Sequence, residues 1–160
     1  MTKKKDEVCC PKFDPKPWDE KKISWKNKLF VRDTVRAIMH VPLNMSSVMA
    51  SMTKKIEDAG AKLEGEDFVM LSSEESAWKS IQYIAVSKEV PGMENVELSG
   101  TYLTKVFEGN FADTKNWYRE MDNYVKSQDA EAKKIYAYYT TCPKCAKKYG
   151  KNYVVLLAEI

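Results

Sequence analysis

One pattern of elements runs through this chain twice, and that repetition limits the folds open to it more than any other feature. Residues 34–42 read as a strand and 46–59 as an amphipathic helix, followed by strands at 67–72 and 78–90. The order recurs as a strand at 97–108, a helix at 113–127 and strands at 134–141 and 152–160. A doubled strand-helix-strand-strand unit predicts an α+β fold. Two pseudo-symmetric repeats, spanning 34–90 and 96–160, each supply an antiparallel sheet, and a central groove between them is a natural ligand site.

The helix assignments rest on spacing. Val48, Met49, Met52 and Ile56 fall on one face of the first helix. Asn44, Ser46 and Ser47 offer N-cap oxygens, and Gly60 is a natural stop. The second helix places Trp117, Met121, Tyr124 and Val125 on one side, and Pro91-Gly92 separates the halves. In the strand at 97–108, alternation sorts Leu98, Gly100, Tyr102, Thr104, Val106 and Glu108 onto one face, which is expected to look inward. Residues 152–160 are nearly all apolar and read as a buried central strand.

Residues 1–33 differ from the rest. Three prolines, Pro11, Pro15 and Pro17, punctuate a short stretch and keep it extended. The same leader carries Phe13, Trp18, Trp25, Leu29 and Phe30. It is expected to be an extended N-terminal arm that wraps across the 34–160 domain and buries those rings.

A chain of 160 residues that is 44% hydrophobic can bury a real core, which excludes a disordered protein. The net charge of +3, with both signs mixed along the length, argues against a nucleic-acid partner. Lys3, Lys4 and Lys5 read as a solvated terminus. No apolar run approaches a membrane span and nothing at the start resembles a signal peptide. The expectation is a cytoplasmic protein without a membrane partner, its cysteines reduced and its oligomeric state open.

Two groups of residues could carry chemistry. The aromatic set is Trp78, Tyr83, Tyr102, Phe107, Trp117, Tyr136, Tyr138, Tyr139 and Tyr153, all on proposed core elements. Such rings stack on flat ligands and attract cations, and a tyrosine hydroxyl adds a directed hydrogen bond. The cysteines are the second group. Cys142-Pro-Lys-Cys145 looks like a zinc knuckle, and Cys9-Cys10 could fold back to complete one site. Reduced inert thiols and a redox Cys-x-x-Cys are the competing readings, so the cofactor is either none or a structural zinc. His40, the single histidine, reads as structural or surface. No glycine-rich phosphate loop is present.

The run from Val90 to Phe111, followed by a helix bearing Trp117, resembles the GyrI-like small-molecule-binding family, an effector-binding fold related to SOUL. The matching positions are Gly100-Thr101-Tyr102, Phe107, Gly109 and Trp117, with Tyr153 to Ala158 where the family places its last strand. The resemblance covers residues 34–160. It implies a stand-alone binder of hydrophobic or aromatic compounds, some cationic or toxic. Tyr102, Phe107, Trp117, Tyr139 and Tyr153 would line the groove. It also implies two alternatives: hydrolysis of electrophilic small molecules, and sequestration of a protein partner. Many members carry a glutamate at the start of the last strand, where this chain reads Gly150-Lys-Asn-Tyr-Val-Val155 without an acid. Glu108, the candidate catalytic acid, and Glu159 are the nearest substitutes.

Overall fold

Period-two alternation of apolar and polar side chains dominates the folded chain, and two strands, at 21–38 and 94–108, run beyond the expected ranges. A computed structural model describes residues 14–39, 41–63, 67–109, 113–140 and 153–160. Its elements are β1 (Lys21–Ile38), β2 (Val41–Pro42), α1 (Met45–Asp58), β3 (Met70–Ser76), β4 (Lys79–Ala85), β5 (Glu94–Glu108), α2 (Thr114–Ser127), β6 (Lys134–Tyr139) and β7 (Tyr153–Glu159).

These strands do not form two small sheets about a groove. They form one antiparallel sheet in the order β1-β4-β3-β6-β7-β5, and β5 pairs back onto β1. The result is a closed six-stranded barrel, with β2 a short edge on β1. The expected α+β groove of two repeats is therefore wrong, and so is the extended arm. Lys21 to Asp33, assigned to that arm, is wall. β1 pairs β4 through Phe30–Ala85 and β5 through Phe30–Val96, so one residue sits between both neighbours and closes the ring. Closure removes the exposed edges that two open sheets would leave.

The helices cover the outside. Met52 and Ile56 of α1 pack with Val31, Ile84 and Val86 over β1 and β4. Trp117, Met121 and Val125 of α2 pack with Leu103, Phe107, Val154, Leu156 and Ala158 over β5 and β7. Gly60, at φ +64°, takes the left-handed conformation that ends the first helical segment. Asn44 does precede α1, but its Oδ1 accepts from the Arg36 backbone N–H instead of capping the helix.

The barrel interior is the third core: Phe30, Leu71, Tyr83, Tyr102, Tyr136, Tyr138, Val155 and Leu157, with Leu98 and Val106 packed against it. The inward face expected for β5 is thus the observed one. β7, flanked by β6 and β5, has Val154 to Ala158 buried on both faces. Each fully buried apolar side chain here stabilises by roughly 1.5–3 kcal/mol.

Candidate functional site

The two ends of the barrel differ in chemistry. At the end formed by the start of β1 and β7, the turn at residues 15–20 folds underneath. The Trp18 and Asp19 N–H groups donate to the Pro15 carbonyl, and Asp19 Oδ1 accepts from the Val106 N–H. Trp18 meets Tyr138 edge-on at 5.7 Å, and the Tyr138 hydroxyl donates to the Phe68 carbonyl. This end is plugged by apolar mass.

The opposite end, formed by the start of β4, β5 and β6, is polar. Strand register places five aromatic side chains on the inner wall, and their contacts close into a ring. Trp25 lies 4.8 Å from Tyr102 and 5.7 Å from Phe30; Phe30 meets Tyr83 at 6.4 Å; Tyr83 meets Tyr136 at 5.7 Å; Tyr136 returns to Tyr102 at 6.3 Å. Tilted and edge-on geometries dominate, the arrangement that ring quadrupoles favour.

Charged groups flank that ring. Arg32, directly opposite Tyr83, pairs with Glu94. The hydrogen bond to Glu94 and a second to Tyr83 raise the Arg32 pKa against the opposing effect of burial, and the bond from Arg32 holds the Glu94 carboxyl below its usual range. Lys134 donates to Glu75 at 3.0 Å, and Ser73 Oγ donates to the same oxygen at 2.8 Å. Those bonds, Ser73 first, depress the Glu75 pKa. Burial pulls Lys134 down, but the bond to Glu75 together with the charge effects of Tyr136, Tyr83 and Glu75 outweighs it, and the ammonium titrates high. Lys134 also lies 5.1 Å over Tyr136, and Lys28 lies over Trp25 and Phe30.

Glu159 is the exception among these acids. It sits on the inner face of β7, opposite Tyr102 on β5 and Lys134 on β6. Its carboxylate has no hydrogen bond or ion pair among the described residues, because the Lys134 ammonium is committed to Glu75. Burial, with the Glu159 charge second, pushes the Tyr102 hydroxyl up to about 12. Burial also pushes Tyr136 up to about 12, against the lowering effect of Lys134 and with Glu159 among the groups that raise it. Both phenols therefore stay protonated donors beside an acceptor that lacks a partner.

Gly100 leaves the room between them. Its φ of +151° is unfavourable for other residues, and a Cβ built there would lie 3.7 Å from Glu159 Oε1 and 3.8 Å from the Tyr102 hydroxyl. The hollow at Gly100 is faced by Trp25, its cross-strand partner. An acceptor and two protonated donors meet beside that space, an arrangement that can polarise a water.

The remaining expected residues lie elsewhere. Tyr153 and Glu108 are cross-strand partners on the inner face at the plugged end, away from Glu159. Phe107 and Trp117 stack on each other at 5.9 Å and 25° beneath α2, outside the barrel. Tyr139 also faces outward, against the α2 cluster. Cys9, Cys10, Cys142, Cys145 and His40 lie outside the described residues. Among the described residues, no three His, Cys, Asp or Glu side chains gather where they could hold a metal ion. Trp78 is exposed on a turn. Sequence reasoning treated Trp25 and Phe30 as part of the arm; their hydrophobicity in a lysine-rich stretch was the signal that they belong to the wall.

A family model described as bacterial hydrolase matches residues 1–160. It is not the GyrI-like family that residues 90–117 resemble. A solved structure of SAV2435 bound to tetraphenylphosphonium is similar in fold, with a TM-score of 0.51 at 12% identity, covering 87% of this chain and 92% of that one. No curated protein sequence matches the chain.

Proposed function

The chain belongs to the bacterial hydrolase family, and from that premise we propose that it binds a small, largely apolar molecule against the aromatic ring and hydrolyses it with Glu159 as general base. The unpartnered Glu159 carboxylate beside two protonated phenols carries this reading. Water in the hollow at Gly100 gives a proton to Glu159 as its oxygen bonds to the electrophilic carbon. The bond from that carbon to the leaving oxygen breaks, and Tyr102 or Tyr136 donates a proton to it. Exchange with solvent returns the proton from Glu159 to the phenolate. A positioned general base contributes typically 10²–10⁴ in rate, and each well-aimed donor adds to that.

Binding of small molecules is supported independently by the neighbour in fold, whose ligand is a bulky phosphonium. Aromatic faces and a carboxylate suit such a cation, which favours a second reading: a binder without turnover. One experiment separates the two. The purified protein is screened by thermal shift and product analysis against tetraphenylphosphonium, styrene oxide and 4-nitrophenyl esters. Turnover that falls at least ~100-fold in Glu159→Gln, with binding and circular dichroism retained, supports the hydrolase. Ligands recovered unchanged, or turnover indifferent to Glu159→Gln, would refute it.

A further inference from the structure

The described residues expose five large apolar side chains, and all five belong to one feature at the polar end. Ile38 (51% exposed), Met39 (73%), Val41 (62%) and Leu43 (60%) run through the β1–β2 hairpin and its exit, and Trp78 (60%) tips the β3–β4 turn. The Ala37 N–H donates to the Trp78 carbonyl and joins the two tips, while the Leu43 N–H donates to the Arg36 carbonyl and closes the hairpin, each at 2.8 Å. Ile38 is the cross-strand partner of Val41, and Arg36 is the partner of Lys79. These four continue the inner face that holds Arg32 and Phe30, so the apolar tip rises from the rim of the polar end.

The two cations directly opposite one another destabilise this rim. Neither has a carboxylate within ion-pair distance among the described residues; the nearest charge effect is that of Lys79 on Glu75 through space. An anion between Arg36 and Lys79 would relieve the repulsion. The patch comprises those five apolar side chains among the described residues. It sits on the convex tips of two turns and not in a groove.

We propose that this tip docks the protein on an anionic lipid bilayer. Ile38, Met39, Val41 and Leu43 enter the acyl boundary, Trp78 lies at headgroup level, and Arg36 with Lys79 takes the lipid phosphates. No described helix is long and apolar enough to cross a membrane, and surface docking requires none. The expectation of no membrane partner, based on the lack of a span, did not address this contact. Docking turns the polar end of the barrel toward the bilayer, where an apolar substrate concentrates. That supply step rests on the hydrolase reading, and the docking does not.

The test is flotation of the full chain, without substrate, with vesicles of phosphatidylcholine alone or mixed with phosphatidylglycerol. The wild type floats with the mixed vesicles. Met39→Ser with Leu43→Ser lowers its partition coefficient at least ~10-fold, with circular dichroism unchanged. Arg36→Gln with Lys79→Gln removes most of the preference for anionic lipid, about fivefold per charge. Brominated lipids quench wild-type fluorescence more than that of Trp78→Phe. Absence of flotation, or flotation equal in the apolar double variant, overturns the proposal. So does a concentration-dependent dimer in sedimentation velocity that the same double variant disperses, which would make the tip a protein interface.

Discussion

Phe30→Ala tests the packing at the seam where β1 closes the barrel. The Phe30 side chain is fully buried, at 0% exposure, at the point where β1 pairs both β4 and β5. Removing the ring forfeits roughly 1.5–3 kcal/mol of apolar burial. It also removes the tilted contact with Trp25 and the edge-on contact with Tyr83, each worth ~0.5–1.5 kcal/mol. A rigid barrel closes poorly around the void, so the expected loss is ~3–5 kcal/mol, the usual range for a buried Phe→Ala. For a chain of this size each kcal/mol shifts Tm by about 2–4 °C, which gives a drop of ~6–20 °C. Calorimetry and urea titration followed by circular dichroism read both quantities. Lys26→Ala, an exposed position on the same strand, serves as the control and is expected to stay within ~0.5 kcal/mol of wild type. A loss under ~1 kcal/mol for Phe30→Ala would mean that Phe30 is not packed at a seam where β1 meets both β4 and β5.

Gly100→Ala fills the hollow beside Glu159 and strains a backbone at φ +151°; turnover of any substrate found is expected to fall at least ~10-fold while the protein still melts cooperatively, and unchanged kinetics would remove the hollow from the site. Trp117→Ala empties the outer core beneath α2 and is expected to lower stability by ~3–5 kcal/mol, yet leave ligand affinity per folded molecule as it was; a matching loss of affinity in isothermal titration would put Trp117 back in the site. Glu75 has a depressed pKa in the folded protein, so its contribution to stability is present above its unfolded value of 4.5 and is lost as pH falls through the folded one. The Tm difference between wild type and Glu75→Gln should therefore be positive at neutral pH and vanish in acid, and a difference independent of pH would contradict the Ser73–Glu75–Lys134 cluster. Tyr102→Phe keeps the ring contacts and removes one donor; turnover is expected to fall about 10–100-fold with binding of an apolar ligand nearly unchanged, and unchanged turnover would assign Tyr102 to packing alone.

Local features of this fold were legible because local chemistry decides them. α1 spans Met45–Asp58 and α2 spans Thr114–Ser127, each within a residue or so of the range expected from apolar spacing. Closure was not legible, because it depends on which distant strand β1 meets on its second edge. The composition of β1 obscured it further. Lys21, Lys22, Lys26 and Lys28 make the segment look solvated. The bulge between Trp25 and Lys28 moves the inward positions from Ile23 and Trp25 to Lys28, Phe30 and Arg32, so the alternation changes phase midway and no single period fits. Asn27 absorbs the extra length at φ +52° and is held by Ser99, whose hydroxyl accepts from its backbone N–H at 2.8 Å.

The candidate site divides along the same line. In β5 the inward residues are even-numbered, so the alternation that placed Tyr102 inside also places Phe107 outside, and it sits beneath α2. In β6, Tyr136 and Tyr138 face in, while Tyr139 faces out. Parity within each strand is thus sufficient by itself to remove Phe107 and Tyr139 from an interior site. An aromatic residue counts toward a site only on the side its strand register presents. Glu159 required more: its value lies in standing opposite Tyr102 across β5 and losing Lys134 to Glu75. Neither relation exists until strands far apart in the chain are paired.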